Sequence, residues 1–229
     1  MNPETNSGGA NPQRRREAHE YFAKGRFQRE EEARTRRADQ GLTGQRRTEW
    51  ALRQIGQIAG GGSVFDLACG NGRHFEGLCQ VAGKVMAGDY SEAMLGAARG
   101  LAPKDRSVPL VRLDAERLPF ADKSLDAIFS ARFFHHVPKR EIRETILAEV
   151  FRTSRKVAVV TFKVQYSWEH VMFALKSWVR SKSRRSYRYF IPMAEFEEIA
   201  KAHGWKVTRR YAARGGLSSN RVVVMEPSE

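Results

Sequence analysis

The chain has 229 residues, with 40 Lys and Arg against 26 Asp and Glu, and a formal net charge of +14. That length suits one domain, or one domain with an appendage, and allows burial of roughly 70% of the unfolded surface. A 41% hydrophobic and 10% aromatic composition supplies a core and excludes wholesale disorder. No run of eighteen apolar residues is present to cross a bilayer as a helix. Cys69 and Cys79 are too few for a disulfide framework or a Cys-based zinc site, which fits a reducing cytoplasm.

The positive charge is uneven. Arg14 to Arg53 carries 12 basic and 7 acidic residues, and Lys139 to Arg188 carries 13 and 4. The stretch between, Val64 to Asp126, carries 8 and 9. The surplus therefore sits on two flanks around a near-neutral middle. It points to a polyanionic partner: nucleic acid, an anionic membrane surface or an acidic small molecule.

Along the chain, Met1 to Asn11 is polar and Gly/Asn-rich and reads as a disordered tail rather than a signal peptide. Pro12 to Asp39, dense in Arg, Glu and Ala, reads as a helix anchored by Tyr21, Phe22 and Phe27. Gly41 to Gly44 is expected to break it, and Thr48 to Ile58 to form a second helix, stopped at Gly60-Gly61-Gly62. A βα alternation then begins. Strands are expected at Ser63–Leu67, Lys84–Gly88, Val108–Leu113, Leu125–Ser130 and Val157–Phe162. Helices are expected at Arg73–Ala82, Ser91–Arg99 and Lys139–Arg152. Such alternation implies parallel βαβ units and a doubly wound α/β sheet. Trp168 to Val179 then has helical spacing, and the polybasic run Arg180 to Arg185 follows it. A helix at Met193–His203 and strands at Trp205–Tyr211 and Arg221–Met225 complete the reading, the strands parted by Gly215-Gly216.

The chemistry is concentrated in Val64-Phe65-Asp66-Leu67-Ala68-Cys69-Gly70-Asn71-Gly72-Arg73: an apolar strand, an acid at its end, and a tight Gly-x-Gly turn into a helix. Glycines there let a ligand approach the backbone closely. Asp89 closes the second strand 19 residues after Gly70, where a carboxylate can accept both hydroxyl hydrogens of a ribose. Asp114-Ala115 closes the third, where a carboxylate can accept from an adenine amino group. Phe75 stands where a dinucleotide site needs its third glycine, and no Gly-Lys-Ser/Thr follows. A ligand with ribose and adenine but no pyrophosphate suits these residues.

These residues resemble the class I S-adenosylmethionine-dependent methyltransferases, close to the small-molecule branch of ubiquinone/menaquinone C-methyltransferases. Four motifs carry the resemblance, in order, across about Ser63 to Phe162: Asp66–Gly72, Gly88–Leu95, Asp114–Phe120 and Leu125–Ser130. It implies a mostly parallel seven-stranded sheet of the Rossmann-like methyltransferase type, with N-terminal helices and a helical insertion after the fifth strand. The implied organisation is a tail at 1–11, a helical cap at 12–60 and a methyltransferase domain at 61–229, with a basic helical insertion at 164–190. The implied cofactor is S-adenosylmethionine. Asp66, Ala68 and the Gly70–Gly72 turn would serve its methionine moiety, and Asp89 its ribose. Tyr90 and Met94 would pack on the adenine, Asp114 and the Ala115 backbone would take its amino edge, and Ser130 with Ala131 would line the sulfonium side. Tyr21 and Phe22 would lie on a helix that closes over the cofactor. The family's usual Pro-Gly-Gly turn before the fifth strand is replaced by Arg152-Thr153-Ser154-Arg155.

His135 and His136 follow the fourth strand at the edge where ligands sit in open α/β sheets, and either is a candidate general base. A role in packing or helix capping stays open for both. The other histidines show no metal-ligand spacing, so no metal site is expected. The expected function is methyl transfer to an oxygen, nitrogen or carbon nucleophile of a small, anionic or lipid-linked acceptor. The expected setting is cytoplasmic; Trp168 to Arg185 reads either as a lip that rests on the anionic inner surface of a membrane or grips a phosphorylated substrate, or as a helix capping the substrate pocket with a solvated basic tail. Three alternatives accompany the expected function: an RNA methyltransferase, a catalytically silent cofactor-binding scaffold, and membrane association without a lipid substrate.

Overall fold

The computed structural model describes residues 42–165, 167–168, 171–172, 189–212 and 217–228. The expected tail, the first helix with Tyr21 and Phe22, the polybasic run and the Gly215-Gly216 turn lie outside the described residues, as does most of the expected Trp168–Val179 helix.

The first described element, helix α1 (Leu42–Ala59), starts six residues before the expected Thr48 and passes through Gly44. Gly44 falls in the first turn, where backbone N–H groups have no intrahelical partner anyway, and it is buried, so packing overrides its low helix propensity. Ala51, Ile55 and Ala59 of α1 are buried in one cluster with Val64, Phe129, Val159 and Val224 of the sheet. Residues 39–229 form one compact unit, so the expected boundary between residues 60 and 61 falls inside it and α1 is part of the domain's own core.

The strands are β1 (Gly61–Leu67), β2 (Ala82–Asp89), β3 (Leu110–Arg112), β4 (Leu125–Ala131), β5 (Ser154–Lys163), β6 (Trp205–Ala212) and β7 (Asn220–Pro227). Between them lie α2 (Phe75–Val81), α3 (Glu92–Arg99), α4 (Arg140–Thr153) and α5 (Met193–Ala202). They form one seven-stranded sheet in the order β3-β2-β1-β4-β5-β7-β6, in which β7 runs antiparallel to both neighbours. This is the expected doubly wound architecture. Strand alternation sends Val64, Phe129, Val159 and Val224 to the face covered by α1, α2 and α3. Phe65, Ile128, Val160 and Val223 turn to the opposite face, under Leu147, Val150, Phe196 and Ile199 of α4 and α5.

β5 begins three residues before the expected Val157, directly after α4. Ser154 pairs with Leu125 and Val157 with Ala127, so the added residues enter the ladder as an irregularity that takes the place of a separate turn. Asp126 pins this amino end of the sheet. It accepts from Ser63 N at 2.9 Å and Arg155 Nη2 at 2.6 Å, and Lys156 Nζ lies at 3.2 Å. Burial by itself would push its carboxyl up, but those donors outweigh burial and hold it well below the usual carboxylate range. The opposite, carboxyl edge is thereby left for a ligand, and the strand order reverses there between β1 and β4.

Candidate functional site

At that reversal point β1 delivers Asp66, and the chain turns through Ala68, Gly70 and Gly72 with φ of 58°, 57° and 79°. A Cβ on Gly72 would lie 2.5 to 2.9 Å from the Phe75 ring, so the second glycine is required by packing inside the turn. A Cβ on Gly70 would meet nothing within 4 Å, so that glycine faces open space. Cys69 N donates to Gly88 O at 3.0 Å and Gly70 N to Asp89 Oδ2 at 2.9 Å, which locks the turn against the end of β2.

Asp66 is fully buried, and neither of its carboxylate oxygens has a hydrogen-bond partner among the described residues. Burial pushes it up to about 8, opposed by the charge of Arg73 and reinforced by that of Asp89. A desolvated carboxylate with unused lone pairs suits a ligand that brings positive charge or N–H donors. Asp89 is also raised by burial, less so because the N–H groups of Ser91 and Gly70 donate to it. Ser91 N reaches Oδ1 at 2.9 Å and the Tyr90 N–H donates as well, so backbone donors aim the carboxylate while lone pairs remain to accept from a pair of hydroxyls.

The other expected residues lie at or beyond the carboxyl ends of β2, β3 and β4. Tyr90 is half-buried, its carbonyl accepting from Arg112 Nε at 3.2 Å and its ring 5.6 Å from the Arg112 guanidinium. Met94 is half-buried in the first turn of α3, whose cap is the Ser91 hydroxyl. Asp114 stands after β3, where its Oδ1 accepts from Glu116 N at 3.0 Å, with Ala115 half-buried beside it. Ser130 is fully buried, and its hydroxyl donates to Leu67 O at 3.1 Å, so it ties β4 to β1. Cys69 is buried, and its thiol is pushed far up by desolvation and by Asp66 and Asp89, which leaves it inert as a nucleophile.

His135 and His136 sit in a short 3-10 turn, Phe134–His136, beyond β4. Both are buried, their ring centroids 4.2 Å apart, and His135 O accepts from Tyr189 N at 2.8 Å. They belong to the β4–β5 side of the reversal point, Asp66 and Asp89 to the β1–β2 side. The sequence reading passed over Lys163, a buried lysine at the last position of β5. Its signal was a cation directly after the apolar run Val157–Phe162. Among the described residues no cluster of three or more His, Cys, Asp or Glu could hold a metal ion.

The residues present fit S-adenosylmethionine: a buried carboxylate with no hydrogen-bond partner among the described residues, beside an open glycine turn, an aimed carboxylate at the end of β2, and a third after β3. The family model for a methyltransferase domain matches residues 65–162. The chain is 31% identical over 154 residues to an uncharacterised chloroplastic methyltransferase of Arabidopsis thaliana, an alignment of 63% of this chain and 43% of that protein. It thus spans under half of that relative's length. It is 28% identical over 186 residues to a demethylmenaquinone methyltransferase of a Mycobacterium species, covering 74% of this chain and 79% of the relative. Among solved structures, the magnesium protoporphyrin IX methyltransferase of Synechocystis with bound SAH superposes with a TM-score of 0.76 at 16% identity. That match covers 93% of this chain and 100% of the other, and it shows a shared fold.

Proposed function

From a chain that belongs to the class I S-adenosylmethionine-dependent methyltransferases, we propose methyl transfer to an oxygen, nitrogen or carbon nucleophile of a small, anionic or lipid-linked acceptor. The observation that carries this reading is the buried Asp66 carboxylate, without a described partner, beside the open Gly70 turn. Asp66 and the Ala68–Gly72 backbone would hold the methionine end, Asp89 the ribose, and Tyr90, Met94, Asp114 and Ala115 the adenine. When bound, the cofactor supplies an activated sulfonium methyl. The chain's part is then alignment and exclusion of water, with His135 or His136 available to take a proton from the acceptor.

The relatives named demethylmenaquinone methyltransferase support a small acceptor with an apolar part. So do four exposed apolar side chains: Trp168, Val171, Tyr189 and Leu217. They flank β5 and β7 in sequence, next to the segment bearing Arg180 to Arg185. Peripheral attachment to an anionic membrane surface belongs to the same reading.

The test has two steps. Calorimetry with S-adenosylmethionine and its demethylated product is expected to register binding of both, and binding of neither sinks the reading. A labelled-methyl assay against separated lipid, small-molecule and RNA pools is then expected to label the first or second. Label confined to RNA would replace this acceptor with a nucleic acid, and cofactor binding without any transfer would favour a silent scaffold.

A further inference from the structure

Lysine is rarely buried, because its ammonium gives up hydration that few interiors replace. Lys163 nonetheless has 6% exposure at the end of a strand whose preceding six residues are all buried. Its Nζ donates to the hydroxyl of Ser219, itself fully buried, at 2.8 Å, and lies 5.8 Å from the Phe190 ring centroid. Ser219 is held in turn, its carbonyl accepting from Val164 N at 2.7 Å.

The placement of this ammonium matters more than its burial. Val157 and Val159 face α1, whereas Ala158, Val160 and Phe162 face α4 and α5. Alternation therefore sends Lys163 to the α1 face, the face to which Val64 and hence Asp66 turn. Asp66 pairs with Phe129, and Phe129 with Val159. Lys163 is thus two strands across and four residues along from Asp66, about 10 Å by about 13 Å in ordinary strand geometry. That span suits a cofactor seated on β1 with an acceptor between it and β5. The backbone of residues 189–191 straps the far side: Tyr189 N donates to His135 O and Ile191 N to Lys163 O, each at 2.8 Å. The His pair and the lysine are in this way joined into one wall.

We propose that Lys163 is an acceptor-binding residue whose buried ammonium takes an anionic oxygen of the methyl acceptor, a phenolate or enolate, at the carboxyl end of β5. The inference rests on the methyl-transfer reading above and deepens it. In a water-poor site an ammonium favours the ionised form of a weakly acidic hydroxyl, so it would present the acceptor as a better nucleophile. Ser219 keeps the ammonium aimed.

The test uses 4-nitrophenol, whose ionised form is read by its own absorbance, titrated into the full-length protein with and without the demethylated cofactor product. Lys163→Met preserves volume and removes the charge, and Lys163→Arg restores a cation. The wild-type protein is expected to bind nitrophenolate in preference to the neutral phenol. Lys163→Met should weaken that affinity about tenfold while S-adenosylmethionine affinity stays within about twofold, and Lys163→Arg should recover most of the loss. Undiminished nitrophenolate binding by Lys163→Met overturns the proposal, as does wild-type protein that takes the cofactor and no nitrophenolate. Equal loss of cofactor and nitrophenolate in Lys163→Met also overturns it, because the lysine would then be structural. A wild-type protein that binds no cofactor instead defeats the methyl-transfer reading, and the arm without nucleoside still decides the lysine by the same comparison.

Discussion

Gly70 and Gly72 are two residues apart, yet the same substitution should act on them differently. At Gly70 an added Cβ meets nothing, so alanine carries mainly the cost of a positive φ of 57°, about 1–2 kcal/mol. Gly70→Ala is expected to fold with a slightly lowered Tm and to lose about tenfold or more in cofactor affinity by calorimetry, because its methyl fills ligand space. Gly72→Ala meets the Phe75 ring at 2.5 Å on top of a φ of 79°. It should lose more stability, by roughly 1–3 kcal/mol of added overpacking in a denaturant titration. Asp66 predicts a pH dependence. With its carboxyl at about 8 against a free value of 3.8, the folded protein holds a proton between those limits that the unfolded chain has released. Stability therefore falls as pH rises through that window, and Asp66→Asn should remove the decline and raise Tm at pH 8 relative to wild type. A cationic ligand requires the ionised form, so cofactor affinity should weaken as pH drops from 8 to 6, with proton release on binding. A flat affinity profile in the wild-type protein would contradict this role for Asp66.

Helices α4 and α5 are joined by a buried, two-pronged ion pair. Arg143 Nε and Nη2 reach Glu195 Oε1 and Oε2 at 2.6 and 2.8 Å, and Nη1 donates to the carbonyls of Val137 and Pro138 at 2.7 and 3.0 Å. Those carbonyls belong to the segment directly after His136, so the pair also holds the end of the His-bearing turn. Glu195→Gln strips one charge and leaves the guanidinium buried, which should lower stability by about 3–5 kcal/mol. Arg143→Met with Glu195→Leu together should recover most of that loss, as a double-mutant cycle in urea would record. On the other face, α1 contributes Ile55, buried in the cluster with Leu78 and Val159. Ile55→Ala is expected to cost about 2–5 kcal/mol, comparable to a core change in a strand, whereas a detachable cap would lose far less. Such helix faces were legible in the sequence as periodic apolar positions. Their partners were not: residues 143 and 195 are far apart in the chain, and spacing says nothing about which distant face each one meets.

For the whole molecule, the net charge of +14 predicts salt-sensitive association with anionic surfaces. Co-sedimentation with anionic vesicles should exceed that with neutral ones and fade between about 0.05 and about 0.5 M salt, as the screening length shortens. Equal sedimentation with both lipids would remove the charged flanks from the acceptor reading. At this scale the sequence by itself determined the alternation of strands and helices, the Gly-x-Gly turn after Asp66, and the acids at Asp89 and Asp114. These depend on local periodicity and on what a backbone needs to turn tightly, and both are written in neighbouring residues. The tertiary structure decided the rest. It extended α1 through Gly44 and made it part of the core, because burial of Ala51 and Ile55 outweighs one poor helix former. It spent the Ser130 hydroxyl on Leu67, and it buried Asp66 and Lys163 on one face of the sheet. Desolvation and pairing come from segments remote in the chain, so the chemical state of a side chain is settled only when those segments close around it.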